Sequence, residues 1–165
     1  MRRFFKGFIL AILVLLIMMP TRMEAGPKGG EIPAKDMAIG GITFGASEDY
    51  VKSIYGEPSD ISYDSNGVWG KTKTYQYGSS FFIKFGQAGN VIELKSTANN
   101  GLKTPQGFTV GIPLSEVASY YENKGSTGKK DGKKYCVYQA DWYKYMKYVA
   151  DKKGKIASIH LYMSP

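Results

Sequence analysis

The two side chains best suited to nucleophilic chemistry at neutral pH each occur once in this sequence, His160 and Cys136. A histidine can take a proton from a nearby hydroxyl, and Ser158 stands two positions before it in "SIHLY". In a strand this spacing puts Ser158 and His160 on one side, with Ile159 and Leu161 on the other, and offers no carboxylate to orient the ring. His160 therefore reads as a half-exposed sheet histidine, and no catalytic residue is expected. Cys136, in "KYCVYQ", reads as a small thiol facing a core, although a neighbouring lysine can lower a thiol pKa. Metal ligation needs clustered Cys, His or carboxylates. Glu48-Asp49 and the scattered loop aspartates form no such cluster, so no metal and no cofactor are expected. In "NKGSTGKKDGKKY", Gly125 and Gly128 are too close for a phosphate-binding loop, and the segment reads as a solvated lysine-rich loop.

The residues that stand out are aromatic. The chain has 13 Tyr, and "YCVYQADWYKYMKY" holds six aromatic residues in fourteen. Strand alternation decides which of them face outward. With Ile159, Leu161, Met146 and Tyr148 turned toward helices, Tyr143, Tyr145 and Lys147 stand on the opposite, open face. Phe82 and Lys84 join them from earlier in the chain, with Glu93, Lys95, Ser158 and His160. Trp142, Tyr143, Tyr145, Lys147, Phe82, Lys84 and His160 are the candidate partner-binding set. Aromatic residues are enriched at protein interfaces; the alternative is plain cross-strand tyrosine packing with no partner.

The elements that must hold these residues are written twice. "GITFGASEDYVKSIYG" aligned on "GFTVGIPLSEVASYYE" gives six identities in sixteen columns, including Gly41/Gly107, Val51/Val117 and Tyr55/Tyr121. In the first copy Ser47 is a candidate helix N-cap and Glu48 and Asp49 fall in the first turn. Val51, Ile54 and Tyr55 share one face, and Gly56 and Pro58 end the helix. In the second copy Pro113 opens a helix with Leu114, Val117, Tyr120 and Tyr121 on its apolar face. A loop and three strands follow each: "KTKTYQY", "SFFIKF" and "NVIELKS", then "KKYCVYQ", "WYKYMKYV" and "KIASIHLYM". Gly89 and Gly154 mark matching hairpin turns. The expected fold class is α+β: two tandem helix-plus-antiparallel-strand repeats (39–100 and 101–165) in one joint domain, forming one continuous antiparallel sheet with helices packed on one face.

Residues 1–25 have a basic start, an unbroken apolar run "GFILAILVLLIMM" and a short polar exit, the layout of a secretory signal peptide cleaved after Ala25. Residues 26–38 are Gly/Pro-rich and read as a flexible leader. With one cysteine no intramolecular disulfide is possible, and none lies near the cleavage point to carry a lipid anchor. An exported bacterial protein of the envelope, periplasm or exterior, with no membrane span after cleavage, is the expectation. Charge is uneven: residues 26–100 carry seven Lys and eight acids, residues 101–165 eleven Lys and five acids. After residue 25 every basic side chain apart from His160 is Lys; the absence of Arg speaks against nucleic-acid readout.

The phrase "KTPQGFTVGIPLSEVASYY", with Thr104, Gly107, Val110, Gly111 and Val117 followed by Tyr-rich strands, resembles the tandem-repeat domains of β-lactamase-inhibitor-protein-like proteins. Small lipoproteins of the outer-membrane barrel-assembly machine look like single-unit relatives. The resemblance covers 39–163 and implies the tandem fold; inhibition of a secreted or envelope enzyme is what it would add as function. The sequence reading is thus an exported, non-enzymatic protein-binding module that uses an aromatic open sheet face. The other reading is an envelope structural or assembly factor that binds an anionic polymer or membrane surface through the lysine-rich second half.

Overall fold

The structure, a computed structural model, describes residues 30–164. The expected signal peptide and the first residues of the leader lie outside the described residues. Nine strands form one sheet in the order β4 (Asp60–Asn66), β5 (Gly70–Tyr77), β6 (Phe81–Phe85), β7 (Val91–Ser96), β11 (Ile156–Met163), β10 (Lys144–Ala150), β9 (Lys133–Ala140). The outer edge of β9 is shared by β8 (Ser126–Lys130), antiparallel, and β1 (Gly30–Glu31), parallel. A two-stranded ribbon, β2 (Ala38–Ile39) with β3 (Ile42–Thr43), stands apart. Helices α1 (Glu48–Tyr55) and α2 (Leu114–Tyr120) and a 3-10 turn at Ala34–Asp36 complete the chain.

The two halves meet at β7 and β11, where Leu94 opposes Leu161 and Lys95 opposes His160. Both flanking hairpins turn as expected, with Gly89 and Gly154 in the left-handed region at φ 75° and 79°. Period-2 alternation sends Phe81, Ile83, Phe85, Leu94, Met146, Tyr148, Ile159 and Leu161 to one side, where they are sealed with Val51 of α1 and Val117 of α2. The Ser47 side chain accepts from Tyr50 N at 3.2 Å and caps α1, while α2 starts at Pro113 without a side-chain cap.

The expected α+β class with two helix-plus-three-strand repeats is corrected. Strands take 47% of the structure and helices 13%, in one large mixed sheet, so the fold is mainly β. The helices are two turns long, and not all of their expected apolar faces are covered: Ile54 and Tyr120 point to solvent. The stretch after α1 is a seven-residue strand, β4, and not a loop. The lysine-rich segment is likewise a hairpin, β8 with β9, closed by Asp131 and Gly132 at φ 52° and 74°. This is the Asp-Gly turn that suits strand twist. Residues 30–37, from the stretch read as leader, are built into the fold: β1 pairs with β9, and Ile32, Asp36 and Met37 are buried.

Candidate functional site

The side of the sheet away from the helices is organised in two cross-strand rows. The first runs Gln139, Tyr145, Tyr162, Glu93, Lys84, Thr74, Ser62; the second runs Val137, Lys147, His160, Lys95, Phe82, Gln76, Asp60. Neighbours directly opposite across antiparallel strands have Cβ atoms about 4.5–5.5 Å apart, so each row is a line of neighbouring side chains. The second row sets Lys147, His160 and Lys95 side by side on β10, β11 and β7.

Glu93 ties the rows together. His160 Nε2 donates to Glu93 Oε1 at 2.8 Å, and Lys84 Nζ lies 3.7 Å from Glu93 Oε2. Burial pushes the Glu93 carboxyl up, but the His160 hydrogen bond and the His160, Lys84 and Lys95 charges outweigh it and hold the group below the ordinary carboxylate range. The aromatic members pack against the cations and each other. Lys147 Nζ sits 4.2 Å from the centre of the Tyr135 ring. The His160 and Tyr162 rings are 4.9 Å apart, and Tyr145 stacks on Tyr162 at 5.4 Å with 20° between planes. Burial raises the Tyr162 hydroxyl above its usual pKa, first and foremost, with Tyr145 adding to it.

At one end of this face the turn between β9 and β10 projects. Asp141 takes the left-handed conformation at φ 73°, and its Oδ1 accepts from Trp142 N at 2.8 Å. Gln139 Nε2 donates to Asp141 O at 2.8 Å and braces the turn from below. This leaves Trp142 87% exposed and Tyr143 42% exposed, with Lys144 Nζ 5.3 Å from the Tyr143 ring centre and 3.7 Å from Asp141 Oδ2. The turn thus presents a fixed apolar projection beside the Tyr145–Tyr162 row.

The structure brings Tyr145, Lys147, His160, Phe82 and Lys84 onto one face, with Tyr143 and Trp142 at its end. Tyr145 differs from the open contact residue expected: it is only 6% exposed, closed in by the Tyr162 stack, and its hydroxyl donates to Trp142 O at 3.4 Å. Trp142, read as the start of a strand, lies in the turn before β10. The sequence reading missed Tyr162 and Tyr135. Tyr162 is two places beyond His160, so the alternation already in use would have found it; Tyr135 needs the β9–β10 register. His160 does have a carboxylate partner, Glu93, which is 67 positions away in sequence and was out of reach of a local reading. Among the described residues no hydrogen bond joins Ser158 to His160, so the hydroxyl–imidazole–carboxylate relay that would activate a serine is not assembled. Cys136 is buried at 2% exposure, and burial pushes its thiol up, away from reactivity.

No protein-family model and no curated protein matches the chain. Two solved structures are similar to this chain. One is an extracellular protein containing an SCP domain from Bacillus anthracis str. Ames, with a TM-score of 0.50 and 14% identity, over 83% of this chain and 47% of that one. The chain therefore spans about half the length of that protein. The other is a DUF4309 family protein (YjgB) from Bacillus subtilis subsp. subtilis str. 168, with a TM-score of 0.43 and 14% identity, over 82% of this chain and 88% of that one. Among the described residues no helix is long and apolar enough to cross a membrane.

Proposed function

We propose that the protein is exported and acts as a non-enzymatic binding module whose open sheet face engages an acidic surface of another protein. The observation that carries this is the row in which Lys147 and Lys95 flank His160, answered by the single carboxylate of Glu93, on the same face at whose end Trp142 and Tyr143 are exposed, with the Tyr145–Tyr162 row between. A partner seated there covers a rigid aromatic anchor, the feature that dominates interface energetics, while the cations select for carboxylates opposite them. Inhibition of a secreted or envelope enzyme is the form suggested by the resemblance of 39–163 to β-lactamase-inhibitor-protein-like domains.

A second reading has its own support. In the β8–β9 hairpin Lys129 opposes Lys134 and Lys130 opposes Lys133. Like charges directly opposite one another destabilise a strand pair, and an anion bound across them relieves the repulsion. On this reading the hairpin binds an acidic polymer or anionic membrane surface.

Capture of envelope proteins on the immobilised protein, washed at low and high salt, separates the two. A partner retained by the parent at high salt, lost from Trp142→Ala/Tyr143→Ala and retained by Lys129→Gln/Lys130→Gln, supports the face. Retention that vanishes with salt and with the lysine variant, and ignores the aromatic one, overturns it in favour of the hairpin.

A further inference from the structure

The helix side of the molecule carries a cleft that the binding face does not use. Three segments wall it, each closed by its own backbone hydrogen bond. In the 3-10 turn Asp36 N donates to Pro33 O at 2.9 Å; in the turn over Thr104–Gly107, Gly107 N donates to Thr104 O at 2.9 Å; at the end of α2, Tyr121 N donates to Val117 O at 3.1 Å. Pro33, Lys35, Asp36, Pro105, Gln106, Tyr120 and Tyr121 enclose about 460 Å3, within the range of small-ligand sites.

The chemistry of the wall is specific. Asp36 is a carboxylate with 4% exposure, pinned where Tyr121 Oη donates to its Oδ2 at 3.1 Å. Burial, then the Asp36 charge, keeps the Tyr121 hydroxyl protonated far above neutral pH, so that it stays a donor. Gln106 Oε1 is buried with no hydrogen-bond partner among the described residues. Tyr120 stands edge-on to Phe108 and Tyr121 and is 59% exposed, leaving a ring free on the cleft. Lys35 and Asp36 cancel in formal charge. The wall therefore offers hydrogen-bond acceptors that want hydroxyl or amide donors, a flat ring for an apolar C–H surface, and no net charge to draw an ion.

We propose that this cleft binds a neutral sugar unit, its hydroxyls donating to Asp36 and Gln106 and one ring face lying on Tyr120. The site is independent of the sheet face on the other side of the molecule.

The test is amide chemical-shift titration of the protein with maltose, cellobiose and N,N′-diacetylchitobiose, beside tetramethylammonium and glutamate as charged controls. Saturable shifts at residues 33–36, 105–107 and 120–121 are expected for at least one disaccharide at about 10 mM or below, where millimolar binding registers. Tyr120→Ala, at a position too exposed to threaten the fold, should weaken that binding about tenfold or more. Gln106→Leu should weaken it several-fold. Shifts with the ammonium or glutamate and not with any sugar overturn the assignment, as does sugar binding unchanged in Tyr120→Ala, or no shift with any of the three sugars.

Discussion

The two faces of the sheet use the same residue type to opposite ends. On the helix side Tyr75, Tyr138 and Tyr148 are at most 2% exposed, and each hydroxyl finds a partner: Glu48 Oε2 at 2.5 Å, Val117 O at 3.5 Å and Met146 Sδ at 2.7 Å. Burial raises all three hydroxyls above their usual pKa. On the open side Tyr135, Tyr145 and Tyr162 lie among Lys147, His160 and Glu93, packed by ring stacking and cation–ring contact. A tyrosine's role here is set by its parity in the strand and by what sits across from it. On one side it fills volume; on the other it spaces and shields charge.

If this contrast is right, substitutions must grade by face. The largest effect belongs to the centre of the helix side. Leu161, fully buried opposite Leu94 and Met146, should cost about 2–5 kcal/mol when changed to Ala, read as a lowered urea midpoint with unchanged slope. Phe82→Ala, in the open row, should cost far less. Equal losses would mean that both faces are core.

Next come the two carboxylates, one per face. Glu48, in the first turn of α1, accepts from Tyr75 Oη and from Lys73, so that it holds the helix to β5. Burial raises its carboxyl, but the Lys73 and Tyr75 hydrogen bonds and the nearby lysine charges bring it below the ordinary range. Glu48→Gln leaves Lys73 and Tyr75 short of a charged acceptor and should cost about 1–3 kcal/mol. Glu93→Gln, on the open face, should cost about 1 kcal/mol or less, since its partners Lys84 and His160 are both partly open to water, whereas Glu48→Gln also leaves the buried Tyr75 hydroxyl without its charged acceptor. Both folded carboxyls lie below their unfolded value near 4.3, so both contributions are complete above that pH and disappear as pH falls through the folded values. Stability of the parent should drop on acidification below about pH 4. Either Gln variant should flatten that drop, Glu48→Gln more strongly.

Much of this arrangement was legible because strand alternation has period 2. Residues 81–85, 92–96 and 146–150 carry it cleanly, and from it the core phase of Met146, Tyr148, Ile159 and Leu161 follows. The Ser47 cap and the glycine turns were legible for equally local reasons. What escaped lacks an alternating signal. β4 reads "DISYDSN" because an edge strand beyond the reach of the helices has little to bury, and Tyr63 is 76% exposed. β8 hides its Asp-Gly turn in a lysine run. β1 is two residues whose pairing depends on β9, more than a hundred positions away. The burial of Tyr145 and the partnership of His160 with Glu93 are cross-strand facts, fixed only when β10, β11 and β7 lie side by side. Repeated helix motifs drew the reading toward a balanced α+β fold, although the two helices are short and the sheet carries most of the mass.

The smallest effect is the most informative about function. Trp142 is held by its backbone, through Asp141, with its indole almost wholly in water, so Trp142→Ala removes surface and almost no packing. Stability should change by no more than about 0.5 kcal/mol in the same urea titration. A loss of 2 kcal/mol or so, the scale of a buried large-to-small change, would mean that the indole packs onto its own chain, and the open face would lose its anchor. No loss of stability together with loss of the captured partner would place Trp142 outside the fold's own accounting and inside the interface.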